Sequence, residues 1–286
     1  MNGTLSFPTA IDSRSTRAIG ELITNAQKVL ETQGPTAQPP RSGRSRVYAE
    51  PMTTSQDVTA RDGRTVRVHD TADDLAGPAR LTVLWHHGSP QTGSILAPLL
   101  ASALPRGIRL LSYGRPDYGG STARPGRTVG SAADDVRDIT DALGVDELAM
   151  MGASGGGPHA LACAALLPDR VRAAVTIAGI APFDAAGLDW YAGMADAAAV
   201  RAAASGGREA RARFEETAEF EPASFNDGDY AALAGPWAAL GADVGIASAD
   251  GAAGTRRPRR RRRRFHQAVG LRRRRSARPD ARRARR

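Results

Sequence analysis

From Met52 onward, apolar and polar positions alternate in blocks of two different periods. Residues 57–60 and 65–69 flank Asp62-Gly63, the strongest short hairpin signal, and predict a pair of strands. Residues 81–85, 108–112, 147–151 and 171–178 are compact apolar runs, which predict buried strands. Helical spacing lies between them, over 95–104, 131–143 and 156–167. The middle helix puts Val136, Ile139 and Leu143 on one face and Asp134, Asp135, Arg137 and Asp138 elsewhere, an amphipathic pattern. Strands and helices alternating through short links predict an α/β fold whose mostly parallel, doubly wound sheet is covered on both faces. Past Pro182 the pattern changes: residues 190–214 are rich in Ala and Arg with helical spacing, and 230–240 form a second short helical piece. These have the position and composition of a helical cap that begins near residue 185.

The flanks differ from this core. Residues 1–51 are rich in Thr, Ser, Gln, Pro and Arg, with one weak helical stretch over 17–30 and linker-like Pro39-Pro40 and Ser42-Gly43. A flexible extension is expected there, with Met52 as an alternative start. Of the 39 basic residues, 17 fall from Arg256 onward against one acid, Asp280, so the formal +9 hides an acidic body of net −7. The expected organisation is an extension over 1–51, a core with its cap over 52–250, and an Arg-rich disordered tail over 251–286. Lys28 is the only lysine, and with the abundant Ala, Gly and Pro it points to a GC-rich coding sequence. Cys163 stands alone in an apolar stretch, which excludes a disulfide within the chain and predicts a small core residue. No secretory segment is visible and no apolar run reaches the ~18 residues of a membrane helix, so no membrane partner is expected and the cytoplasm is the default location.

Chemistry enters at Gly152-Ala153-Ser154-Gly155-Gly156, a G-x-S-x-G with an apolar strand before it and a helix after it. A serine at a sharp strand-to-helix turn needs small neighbours two residues away. The helix N-terminus then offers free N–H groups to a developing oxyanion. The loop lacks the lysine of a phosphate-binding loop and the spacing of a dinucleotide fingerprint. His87-Gly88-Ser89-Pro90 follows an earlier strand, where a second donor is expected: the N–H of Ser89 pairs with that of Gly155, since Pro90 has none to give. His86 and His87 are expected to hold this loop by hydrogen bonds rather than to act as bases, with Gly88 as part of the same support. His159 is read as support behind the elbow. Neither a Cys/His cluster nor H-E-x-x-H occurs, so no metal and no cofactor are expected.

Three segments carry a resemblance: Trp85-His86-His87-Gly88-Ser89-Pro90, Arg115-Pro116-Asp117-Tyr118-Gly119-Gly120-Ser121, and Gly152 through Ala162 around the serine. Over residues 57–250 the sequence resembles the α/β-hydrolase superfamily, in its serine-nucleophile branch of esterases, lactonases, peptidase-like relatives and non-haem haloperoxidases. Asp117 stands where that family usually has glycine. The resemblance implies Ser154 as nucleophile, an oxyanion hole from Ser89 and Gly155, and a small ester, amide or lactone as substrate. A serine at the elbow argues against the dehalogenase and epoxide-hydrolase branches, which need a carboxylate there.

The family's triad order is Ser, then Asp or Glu, then His. Beyond Asp250 the resemblance implies two more strands carrying an acid and a histidine. The sequence instead gives Gly254-Thr255-Arg256-Arg257-Pro258 and arginine runs. His266 lies amid arginines with no strand to carry it and is not read as the base, while Asp184 is the one candidate acid. The fold therefore reads as truncated at its C-terminal end, and the enzyme as impaired or inactive. Three readings of the tail stay open: a solvated tail, a non-catalytic arm gripping nucleic-acid phosphates, or the hydrolase's own C-terminus in the wrong frame. Few aromatics interleave, which disfavours base stacking. The codons of residues 265–272, read one nucleotide later, permit Phe-Thr-Lys-Pro-Trp-Gly-Phe-Asp, and Pro-Trp-Gly-Phe-Asp resembles a segment these hydrolases carry after the cap. A frame shift near residues 250–255 is the favoured reading.

Overall fold

The computed structural model describes residues 53–194, 196–218 and 225–249. The expected extension over 1–51 and the arginine-rich tail with His266 lie outside the described residues.

Six strands form one sheet: β1 (Thr54–Thr59), β2 (Thr65–Asp70), β3 (Leu81–His86), β4 (Ile108–Tyr113), β5 (Leu148–Ala153) and β6 (Val171–Ile177). Their order is β1-β2-β4-β3-β5-β6. The first two make an antiparallel hairpin with Thr59 opposite Thr65, and β2 runs antiparallel to β4. The hairpin turn is closed by the Ala60 N–H donating to the Arg64 carbonyl at 2.8 Å, and it needs Gly63 at φ 81°. From β4 through β3 and β5 to β6 all pairs are parallel.

Side chains alternate between two buried layers, which is why these strands read as unbroken apolar runs. Leu84, Leu111 and Met150 join one layer with Val136 and Ile139 of helix α2 (Ala132–Ala142) and Ala160 and Cys163 of α3 (Gly157–Leu166). Val83, Trp85, Leu110 and Met151 join the other with Leu96 and with Leu99 and Leu100 of α1 (Ala97–Ala103). Burying each of the Val, Leu, Ile and Met side chains among these contributes about 1.5–3 kcal/mol, so the two layers dominate the stability of the domain. Cys163 is fully buried, and burial pushes its thiol up to about 12, leaving it an inert core residue.

Two expectations need correcting. Asp135 and Asp138 on α2 are buried, because each meets an arginine from the hairpin turn: Arg64 Nη2 reaches Asp135, and Arg61 Nε donates to Asp138 at 2.6 Å. The cap region is also divided differently. Residues 190–193 form turns, and Trp190 and Tyr191 there pack edge to face with each other and with Phe183, with ring centroids 5.3–5.8 Å apart. Helix α4 begins only at Ala198 (Ala198–Thr217) and is kinked at Gly206-Gly207, where Gly207 takes φ 62°. The piece expected at 230–240 is two helices, α5 (Asp227–Ala234) and α6 (Ala238–Ala249), separated at Gly235-Pro236.

Candidate active site

The end of β5, the end of β3 and the segment after β4 meet at one place. Ala153 is still extended, Ser154 turns to φ 50°, and α3 begins three residues later. A non-glycine residue at positive φ is strained by about 1–3 kcal/mol and persists only where its surroundings impose it. The surroundings here are steric. A Cβ on Gly152 would stand 2.5 Å from the Gly156 carbonyl oxygen, and one on Gly156 would stand 2.0 Å from that of His86. Only glycine fits at either position, so the chain must turn at Ser154, whose side chain is exposed.

The loop after β3 lies against this turn. An added Cβ on Gly88 would be 3.7 Å from the Ser154 Cβ, and one on Gly155 would be 3.0 Å from the Ser89 hydroxyl. Ser89 and Gly155 are therefore neighbours beside Ser154, with Ser89-Pro90 in the cis form. His87 is buried and fully bonded: its Nε2 accepts from the Arg115 N–H at 3.1 Å, so its Nδ1 carries the proton donated to the Gly88 carbonyl at 2.7 Å. Burial and the nearby Arg115 hold His87 well below the ordinary imidazole range, so it is neutral.

His86 departs from the expectation that it would hydrogen-bond the loop. It is buried with both ring nitrogens unpartnered among the described residues, stacked 6.2 Å from His159 and edge-on to Tyr113 at 5.7 Å. Burial keeps it neutral too. His159 lies behind the elbow, its Nδ1 2.8 Å from the Gly155 carbonyl and 3.1 Å from Arg115 Nη1. One tautomer donates to the carbonyl and the other accepts from the guanidinium. Burial, then Arg115, pushes His159 down to about 4.

Asp184 stands exposed on the segment after β6. His69 is on β2, with its Nδ1 2.9 Å from the Ser55 hydroxyl. Among the described residues no side chain hydrogen-bonds the Ser154 hydroxyl, and no group of three or more His, Cys, Asp or Glu side chains converges as a metal would require. No helix among them is long and apolar enough to cross a membrane.

Three residues not singled out as candidates complete the site. Arg115 is 2% exposed and has no carboxylate partner among the described residues. Its Nη2 donates to Ser89 Oγ at 2.7 Å and to the Gly88 carbonyl at 3.3 Å, and its Nη1 donates to the Gly155 carbonyl at 2.8 Å. Gln91 accepts from the Gly88 N–H at 2.7 Å through Oε1. Asp243, buried on α6, accepts from the Thr92 N–H at 3.1 Å, from the Thr92 hydroxyl, and from Gln91 Nε2 at 3.3 Å. Arg115 sits in the Arg-Pro-Asp segment that the sequence displays. Asp243 lies in an Ala- and Gly-rich helix whose pattern gives no sign of a buried carboxylate.

The mostly parallel six-stranded sheet with its helices is consistent with the α/β-hydrolase fold. Residues 82–205 match the family model described as the alpha/beta hydrolase fold. Among solved structures the chain is similar to a thermophilic esterase from Thermogutta terrifontis, with 22% identity over 57% of this chain and 52% of that one and a TM-score of 0.42. It is also similar to a haloalkane dehalogenase from Agrobacterium tumefaciens, with 24% identity over 45% of this chain and 42% of that one and a TM-score of 0.37. A CIB-like hydrolase from Thermoplasma acidophilum gives 20% identity over 44% and 63%, with a TM-score of 0.38. The chain thus spans 42–63% of the length of these three proteins. No curated protein matches it.

Proposed function

We propose that this chain is by lineage a serine hydrolase of small esters, amides or lactones, and that as it stands it cannot complete the reaction. The observation that carries the reading is Ser154, exposed at φ 50° on the strand-to-helix turn with Ser89 and Gly155 beside it. In that reaction Ser154 Oγ bonds to the substrate carbonyl carbon as its proton passes to a base, and the carbonyl pair moves onto oxygen. The N–H groups of Ser89 and Gly155 receive that oxyanion. Collapse then expels the alcohol or amine, which takes the proton, and water repeats the sequence on the acyl-enzyme.

The proton is the difficulty. His86 and His87 are buried, His159 is half-buried, each is engaged or enclosed elsewhere, and none hydrogen-bonds Ser154. Without a base a serine hydroxyl has little nucleophilicity, and losing the base costs about 10⁶-fold in turnover in the best-measured triad. We further propose that the arginine-rich stretch after residue 250 is the hydrolase's C-terminal part translated out of frame.

Hydrolysis of p-nitrophenyl acetate by the 286-residue chain and by its Ser154→Ala variant tests the reading. Equal rates are expected, together with a single-base insertion or deletion near codons 250–255 in the gene. Ser154-dependent turnover from an intact reading frame would place a base among residues other than those named here and end the proposal.

A further inference from the structure

We propose that Arg115 is a positioning residue for the oxyanion site, setting the plane of the peptide that carries the Ser89 N–H; this rests on the serine-hydrolase reading above. The Gly88 carbonyl and the Ser89 N–H belong to one planar peptide unit, so whatever fixes the oxygen aims the N–H in the opposite direction. Two donors hold that oxygen. His87 Nδ1–H reaches it at 2.7 Å and Arg115 Nη2–H at 3.3 Å. Arg115 acts on the first donor as well, because its backbone N–H occupies His87 Nε2 and so fixes the tautomer that leaves the proton on Nδ1.

The same guanidinium ties the two sides of the site together. Nη2 holds the Ser89 hydroxyl at 2.7 Å while Nη1 holds the Gly155 carbonyl at 2.8 Å, so the loop after β3 and the first turn after Ser154 keep a fixed separation. The planar fork makes this possible, because Nη1 and Nη2 each serve one segment; the three donors of an ammonium radiate from a single nitrogen and cannot reproduce that span. Arg115 is buried without a carboxylate among the described residues, and its Cζ lies 5.6 Å from the Tyr118 ring centroid. Its charge therefore polarises the peptides it touches instead of being neutralised by a partner. That raises the donor strength of the Ser89 N–H toward an anion.

A boronic acid tests this without the missing base. Ser154 Oγ forms a B–O bond to 4-fluorophenylboronic acid, the serine proton is released to buffer, and the boron becomes tetrahedral and anionic. The adduct is read by ¹⁹F NMR titration of the full chain at pH 8. Wild type is expected to form an adduct that Ser154→Ala lacks. Arg115→Met should weaken it by about 30-fold or more, and Arg115→Lys should recover part of that, remaining about tenfold weaker than wild type. Ser89→Ala removes one guanidinium contact while keeping the backbone N–H, and should cost several-fold; it serves as the test if Arg115→Met fails to fold. A role confined to folding would lower the melting temperature of Arg115→Lys yet leave the affinity of its folded fraction unchanged. Folded Arg115 or Ser89 variants binding within twofold of wild type would overturn the proposal. Absence of any Ser154-dependent adduct in wild type would overturn the nucleophile reading and this inference with it.

Discussion

Three histidines crowd the region around Ser154, and their protonation makes a prediction at the residue scale. His86 and His87 are held neutral well below the ordinary imidazole value of 6.5, and His159 is held at about 4, in each case chiefly by burial. In the unfolded chain all three titrate near 6.5, so between that value and 4 the unfolded state binds more protons than the folded one. Stability is therefore complete above about pH 6.5 and falls as the pH drops, each histidine contributing at most ~1.4 kcal/mol per pH unit. Urea midpoints measured at pH 7 and pH 5 check this, before ordinary carboxylates titrate. Lower stability at pH 5 is expected, with a smaller drop in His159→Gln. A flat profile would mean that these rings are charged or solvated in the native state.

At the scale of elements, the turn between β5 and α3 is forced by two glycines, each tested by one methyl group. Gly156→Ala would place its Cβ 2.0 Å from the His86 oxygen, so either the turn or the end of β3 must move. A loss of about 3 kcal/mol or more is expected from denaturant unfolding. A loss below about 1 kcal/mol would show that the turn is less crowded than described. The strands were legible in the sequence because both faces of the sheet are buried and the runs are continuously apolar. The hairpin was legible through Asp62-Gly63. Less legible were elements whose partners are distant in sequence. Asp135 and Asp138 look like solvated residues until Arg64 and Arg61 arrive from the hairpin turn, some seventy residues earlier. Helix α6 shows no apolar stripe, and its buried Asp243 has a reason only once Gln91 and Thr92 lie beneath it. At the candidate site, Ser154 and the loop of Ser89 stand out as motifs, whereas the Arg115 contacts depend on three segments meeting.

Among the described residues, one side of the sheet is left uncovered. β6 is an edge of the described sheet, its residues are only partly buried or exposed, and Leu161, Leu166, Ile177, Ile180 and Phe183 are exposed on α3, β6 and the segment beyond. An unpaired strand edge flanked by apolar side chains favours association and loosens the packing beneath it. The purified 286-residue chain is expected to melt broadly and to bind a hydrophobic dye before melting; one sharp transition without dye binding would contradict this. Restoring the proposed reading frame tests most directly whether Ser154 is a hydrolytic nucleophile deprived of its base. The measurement is p-nitrophenyl acetate turnover by the chain made from the frame restored near codons 250–255, beside the same chain carrying Ser154→Ala. Turnover is expected to fall by about 10⁴-fold or more in the variant. Equal rates from the two restored chains would contradict it.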